Sequence, residues 1–222
     1  MPKKKKAAGI KTSAPDKQRT LQLIEYDITS EPIPDEHYEQ LPHHVQDDFD
    51  RLYFLAQEQP RKAIPELEQW LEKYPDIPIL YNFLGAAYSR AGKHEQAERT
   101  VLANYRRNPD YLFARLNYAD ICLFRGEYTK VAEILENKFD LKLLYPHRSL
   151  FHISEFTAFM RVIGTYFLGI GERKVAELAY KALRKIAPDS EATHLLKTAL
   201  DLNRMQKLMQ KALTKLESGE RP

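Results

Sequence analysis

Glycine and proline recur in this chain at a fixed interval, and that recurrence leaves few folds open. Gly92 and Gly126 are 34 residues apart, and so are Pro75 and Pro109. Gly126 and Gly171 are 45 apart, the same period with 11 residues added. A repeat of this length marks a chain built by laying down one small structural unit several times. Each recurring residue has a physical task. Gly92, Gly126 and Gly171 follow a helix where the chain turns, a place for left-handed backbone that glycine adopts without steric cost. Pro109 and Pro188 end the second helix of a pair, because the residue before proline is steered away from helical angles. Gly85, Ala119 and Gly164 are expected to face Ala97, Val131 and Ala176 on the partner helices, where a larger side chain would push the pair apart. Leu84, Tyr88, Phe167 and Tyr180 are expected to fill the core between layers at helical spacing.

The stretch Tyr81-Asn82-Phe83-Leu84-Gly85-Ala86-Ala87-Tyr88, followed by Gly92, Ala97 and Pro109, resembles the tetratricopeptide repeat family. A second unit reads Tyr118-Ala119, Cys122, Gly126, Tyr128 and Val131, and a third Ile163-Gly164, Phe167, Gly171, Ala176, Tyr180 and Pro188. Residues 44–77 look like a degenerate first unit, with Ala63, Leu67, Trp70 and Pro75 in register but Glu58 where glycine is expected and Pro65 near the start of the second helix. The complete units then span 78–111, 112–145 and 157–190, with an insertion within 139–152. That insertion is read as a lengthened helix or packed loop, with a partner-docking loop as the alternative. The resemblance implies an all-α solenoid of helical hairpins wound into a right-handed superhelix over 44–190.

The ends of the chain read differently. Residues 1–20 carry a net +6, including Lys3 to Lys6, with little apolar content, and are expected to form a disordered basic tail. Residues 21–43 are an acidic, proline-containing linker in which Leu21, Leu23, Ile24, Tyr26 and Ile28 could dock as an extended strap. The segment 21–50 carries −9. A helix over 190–217 follows Pro188, with Asp189 and Ser190 placed to cap it. Its first half is expected to cover the third unit with Leu195, Leu196, Ala199 and Leu202. Its heptad seam Leu195, Thr198, Leu202, Met205, Met209, Ala212 and Leu216 is weak, so a monomer is favoured, with a homodimer through this helix as the alternative.

Chemistry is hard to find. The histidines are scattered, His43 and His44 being the only adjacent pair, and Cys122 has no second cysteine, so no metal or cofactor is expected. Ser149 and His152 lack a third orienting group, and no lysine follows a phosphate-binding glycine loop. The lone thiol fits a reducing compartment. The longest uncharged run, Ile77 to Ser89, is too short to span a bilayer and no secretory signal is evident, so a cytoplasmic, non-enzymatic protein is expected. In the tetratricopeptide family the first helices of each pair line a concave groove that binds peptides or partner helices. Carried over by register, that resemblance assigns Asn82, Arg90, Phe113, Leu116, Asn117, Asp120, Leu123, Phe124 and Arg161 to a partner-binding groove. The function implied is a protein-interaction scaffold. The alternative is an RNA- or ribosome-associated accessory factor that uses the basic tail and the C-terminal helix.

Overall fold

The computed structural model describes residues 5–8, 25–33 and 43–217. The chain packs as two compact units, one running from Glu31 to Arg125 and the other made of the described residues up to Ser30 together with those from Gly126 onward. The architecture is an all-α helical repeat of hairpins, with one small sheet added.

In the Glu31–Arg125 unit the helices are α1 (His43–Glu58), α2 (Pro60–Lys73), α3 (Pro78–Arg90), α4 (His94–Arg107) and α5 (Leu112–Phe124). Pro60 and Pro78 open their helices at positions where the missing N–H would find no partner anyway. Phe49, Leu52 and Ala56 of α1, Ala63, Ile64 and Leu67 of α2, and Leu80, Leu84 and Tyr88 of α3 form one buried cluster. Burying each of the larger aliphatic groups contributes about 1.5–3 kcal/mol. The degenerate turn between α1 and α2 needs no glycine, because Gln59 alone connects the helices with negative φ (−132°). Pro65 lies inside α2, which runs on through it from Pro60 to Lys73. Polar ties join the same helices. Arg51 of α1 pairs with Glu66 of α2 and with Asp48, and the Tyr88 hydroxyl of α3 donates to Glu68 of α2. Burial first, and then that bond to Glu68, pushes the Tyr88 phenol up to about 12.

The α3–α4 turn closes as the spacing predicts. Gly92 has φ 76°, its N–H donates to Ser89 O, and the Lys93 N–H reaches back to Tyr88 O at 2.9 Å. The expectation for Gly85 is corrected. A Cβ at Gly85 would make ordinary contacts with Val101 (3.8 Å) and Thr100 (4.0 Å), not a clash with Ala97, so the crossing has room for a methyl group.

The other unit holds α6 (Tyr128–Ile134), α7 (Leu141–Leu144), α8 (Ile153–Gly169), α9 (Arg173–Ile186) and α10 (Glu191–Glu217). It also holds strands β1 (Lys5–Ala8), β2 (Glu25–Thr29) and β3 (Leu150–His152). β2 is the central strand, antiparallel to β1 and parallel to β3, with Tyr26 opposite Ala7 and Ile28 opposite Phe151. Four residues of the expected disordered tail are therefore strand, and five residues of the expected strap are its neighbour. The rest of the tail and Leu21 to Ile24 lie outside the described residues.

The inserted stretch is core. Phe139, Leu141, Leu144 and Phe151 are buried, Phe139 stacks on Tyr166 with centroids 5.0 Å apart, and Phe151 meets Tyr26 edge-on at 5.2 Å. The insertion is needed because α6 stops after seven residues. The Asn137 N–H donates to Ala132 O and that of Glu136 to Glu133 O, the same closure as at Gly92, but here two non-glycine residues, Glu136 (53°) and Asn137 (55°), are held at positive φ. Asp140 then caps α7, its carboxylate accepting from the N–H groups of Lys142 and Leu143. His152 and Glu155 form a capping box at the start of α8, with Arg148 bound to Glu155 at 2.9 and 2.7 Å.

α9 ends before Pro188, and the Ser190 hydroxyl accepts from Thr193 N to open α10. α10 docks on α8 and α9 through Thr193, Leu196 and Leu200. Gly164 of α8 admits Leu196, since a Cβ there would fall 2.5 Å from Leu196 Cδ2. Arg173 of α9 donates to Leu200 O at 2.9 Å and to Asn203 Oδ1 at 3.2 Å. Two expectations are thus corrected: Gly164 serves the approach of α10, not that of Ala176, and Leu195 and Leu202 are exposed instead of covering the unit. Residues 193, 196 and 200 are three and four apart and share one helical face, which leaves Leu195 and Leu202 on another.

Candidate partner-binding surface

Within the Glu31–Arg125 unit, α3 packs against both α1 and α5, so the first helices of successive pairs lie side by side. Asn82 of α3 sits among polar groups from two neighbouring helices. Its Oδ1 accepts from Asn104 Nδ2 of α4 and from Asn117 Nδ2 of α5, each at 3.1 Å, while its Nδ2 donates to the Tyr111 hydroxyl at 3.3 Å. Asn104 is buried, also donates to Pro78 O at 3.1 Å, and accepts from Asn108 Nδ2 at 2.9 Å. Leaving the buried Asn104 amide unpaired would cost about 1–3 kcal/mol. Asn82, with Asn104 and Asn117, therefore joins three helices, and both side-chain polar atoms of Asn82 and the Nδ2 of Asn117 are engaged in doing so.

The remaining groove residues separate by burial. Phe113 is half-buried, its ring 5.8 Å from that of Tyr111. Asp120 and Leu123 are half-buried as well. Phe124, the last residue of α5, is 95% exposed. Leu116 is a correction: it is 1% exposed and belongs to the core, because Leu112, Leu116 and Ala119 follow the i, i+4, i+7 spacing of the buried stripe of α5. Arg90 is exposed at the end of α3, where with Ala91 it borders a shallow depression lined by Gln59, Pro60, Arg61 and Lys62. Arg161 is half-buried on α8 of the other unit. The structure thus brings Asn82 and Phe113 to Tyr111, ties Asn117 to Asn82, and places Arg90 and Phe124 at helix ends.

Two aromatic residues escaped the register. Tyr53 and Phe54 of α1 are exposed, with ring centroids 5.3 Å apart, and Tyr53 lies 5.6 Å from Phe83 of α3. The signal for them was the stripe Phe49, Leu52 and Ala56, whose helical spacing puts residues 53 and 54 off the buried face.

Apart from the Arg51 guanidinium, raised by its bonds to Glu66 and then Asp48, the titratable groups with perturbed behaviour among the described residues are phenols. Burial raises Tyr26, Tyr81, Tyr88 and Tyr166 above their ordinary value, away from neutrality. Among the described residues no three histidine, cysteine, aspartate or glutamate side chains converge as metal ligands, and no helix is long and apolar enough to cross a membrane.

Comparison of the sequence with protein-family profiles and with curated proteins gives no significant match. Among solved structures, the chain is similar to MamA (residues 41 to the end) from Desulfovibrio magneticus RS-1, with 13% identity and a TM-score of 0.44 over 85% of this chain and 99% of that one. A double mutant, MamA RS-1 ArsTM, is similar at 14% identity and the same TM-score, over 84% and 97% of the two chains. A likeness of that size identifies neither a partner nor an activity.

Proposed function

We propose that this chain is a non-catalytic scaffold that binds a protein segment on the Glu31–Arg125 unit, with Phe124 and Phe113 of α5 as apolar anchors. The observation that carries the reading is Phe124, an aromatic ring left 95% exposed on a helix whose other large apolar side chains are buried or half-buried. Exposed aromatic rings of this kind are what partner side chains cover, and they dominate binding energy where they are covered. Asn82 and Asn117 are tied up between helices, so the affinity comes from apolar contact and changes little with salt.

A photo-crosslinking phenylalanine analogue at position 124, used in native lysate, tests this reading. The expected result is one predominant crosslinked protein that survives high salt and is lost when Phe113 is changed to Ala. Crosslinking that disappears steeply as salt rises would point to contacts through Lys and Arg side chains with a phosphate-rich partner and would replace the proposal.

A further inference from the structure

α10 carries two apolar faces, and only one is used within its own unit. Leu196 and Leu200 are buried against α8 and α9, whereas Leu195, Leu202, Met205, Met209 and Leu213 are all at least half exposed. At about 100° per residue, from roughly 3.6 residues per turn, the exposed set lies on the side roughly opposite Leu196 and Leu200. Because Leu195 and Leu202 were not taken up by docking, the open stripe runs unbroken from the docked half of the helix into its second half. Lys197, Arg204, Lys207 and Lys211 lie away from this stripe, so no cluster of like charge borders it.

We propose that this stripe is an interface with a second copy of the chain, the two α10 helices packing antiparallel. Antiparallel pairing that sets Met205 against Met209 of the other copy also sets Leu202 against Ala212 and Thr198 against position 216, a leucine. Every small or polar seam residue then meets a large one, the volume matching that fills a helix seam without voids. The same alignment brings Asp201 within two residues, about 3 Å along the axis, of the level of position 215, once in each direction, and leaves Leu208 equally close to its own counterpart near the two-fold axis. Parallel pairing would match Thr198 with Thr198 and Ala212 with Ala212, and would leave Asp201 facing Gln206. It would also crowd α8 and α9 of both copies at one end, where the antiparallel arrangement separates them.

Mass measurement of the full chain by light scattering and sedimentation, from low micromolar concentration to the solubility limit, tests the proposal. A concentration-dependent dimer is expected, and Met209→Glu should hold the chain at monomer mass with unchanged helical circular dichroism. Asp201→Lys should raise the dimer dissociation constant about tenfold, since positions 201 and 215 of the two copies would then carry like charge at both ends of the seam, and adding Lys215→Asp should restore it. Leu208→Cys should crosslink with a short bismaleimide. Leu202→Cys should not, because its two copies would stand on the order of 15 Å apart along the axis. Wild-type chain that stays monomeric throughout would overturn the proposal, and crosslinking of Leu202→Cys would overturn the antiparallel register. As a further arm, the chain is mixed with phosphatidylserine-rich vesicles. A monomer that binds them, and loses binding with Met209→Glu, would show that the stripe meets lipid instead and would also overturn the proposal.

Discussion

The two units solve the same packing problem with different means. In Glu31–Arg125 the helices are joined by short turns and bury their apolar stripes against each other, so exposed rings such as Phe124 are left over from packing. In the other unit α6 is cut to seven residues, and the space that a longer helix would occupy is filled by Phe139, Leu141, Leu144 and a three-stranded sheet. The contrast teaches that a helical repeat tolerates a shortened helix if the inserted residues supply equivalent apolar volume. The same residue type can therefore be structural in one unit and available at the surface in the other.

The largest expected effect sets Phe151 against Phe124. Phe151 is fully buried beside Tyr26, so Phe151→Ala should cost about 3–5 kcal/mol in urea unfolding. Phe124→Ala, at an exposed helix end, should shift stability by no more than about 0.5 kcal/mol. Equal losses would mean that Phe124 is packed and the binding surface is misplaced. Next come the helical glycines. Gly164→Ala pushes a methyl group into buried Leu196 and should destabilise by about 1–3 kcal/mol. Gly85→Ala has room and better helix propensity, and should stabilise by about 0.5–1 kcal/mol. The same thermal melts decide both, and matching signs would show that the two helix crossings are equally tight.

A smaller pair of effects tests the turns. Glu136 does with φ 53° what Gly171 does with φ 88°. Left-handed backbone costs a non-glycine residue about 1–2 kcal/mol. Glu136→Gly should therefore stabilise by about 1 kcal/mol, net of the exposed pairing with Lys138, and Gly171→Ala should destabilise by a similar amount. The smallest effect is on pH. The Tyr88 phenol keeps its proton in the fold up to about 12, whereas an unfolded tyrosine ionises near 10. Its contribution is complete below pH 10 and is lost as pH rises from 10 toward 12. Tyr88→Phe should make the alkaline decline in stability shallower, and an unchanged slope would show that other groups govern it.

Much of the fold was legible because its signals are local. Gly92, Gly126 and Gly171 all have positive φ, and where glycine fills such a position the sequence shows it. The stop at Glu136 was only half legible: Asn137 (φ 55°) is of a type that enters left-handed backbone readily, whereas glutamate carries no such preference and the bonds closing the turn impose it. The proposed surface was half legible. Register placed Phe113 and Phe124 on one helix, but Leu116 fell on the buried stripe, and Asn82 and Asn117 found each other across helices.

By itself the sequence determined the helical hairpins, their punctuation and the apolar seam along 195–216, because each depends on residues a few positions apart whose geometry is set by the backbone. Only the tertiary structure decided which of two apolar faces α10 would spend on its own unit. That choice depends on Gly164, which lies far away in the chain and opens just enough space for Leu196. Likewise, only packing decided that Glu25–Thr29 becomes a strand, since its partner Leu150–His152 comes from the insertion more than a hundred residues later, and Lys5–Ala8 then pairs with the other edge of Glu25–Thr29. Short segments of weak intrinsic preference take the structure that a distant edge offers them.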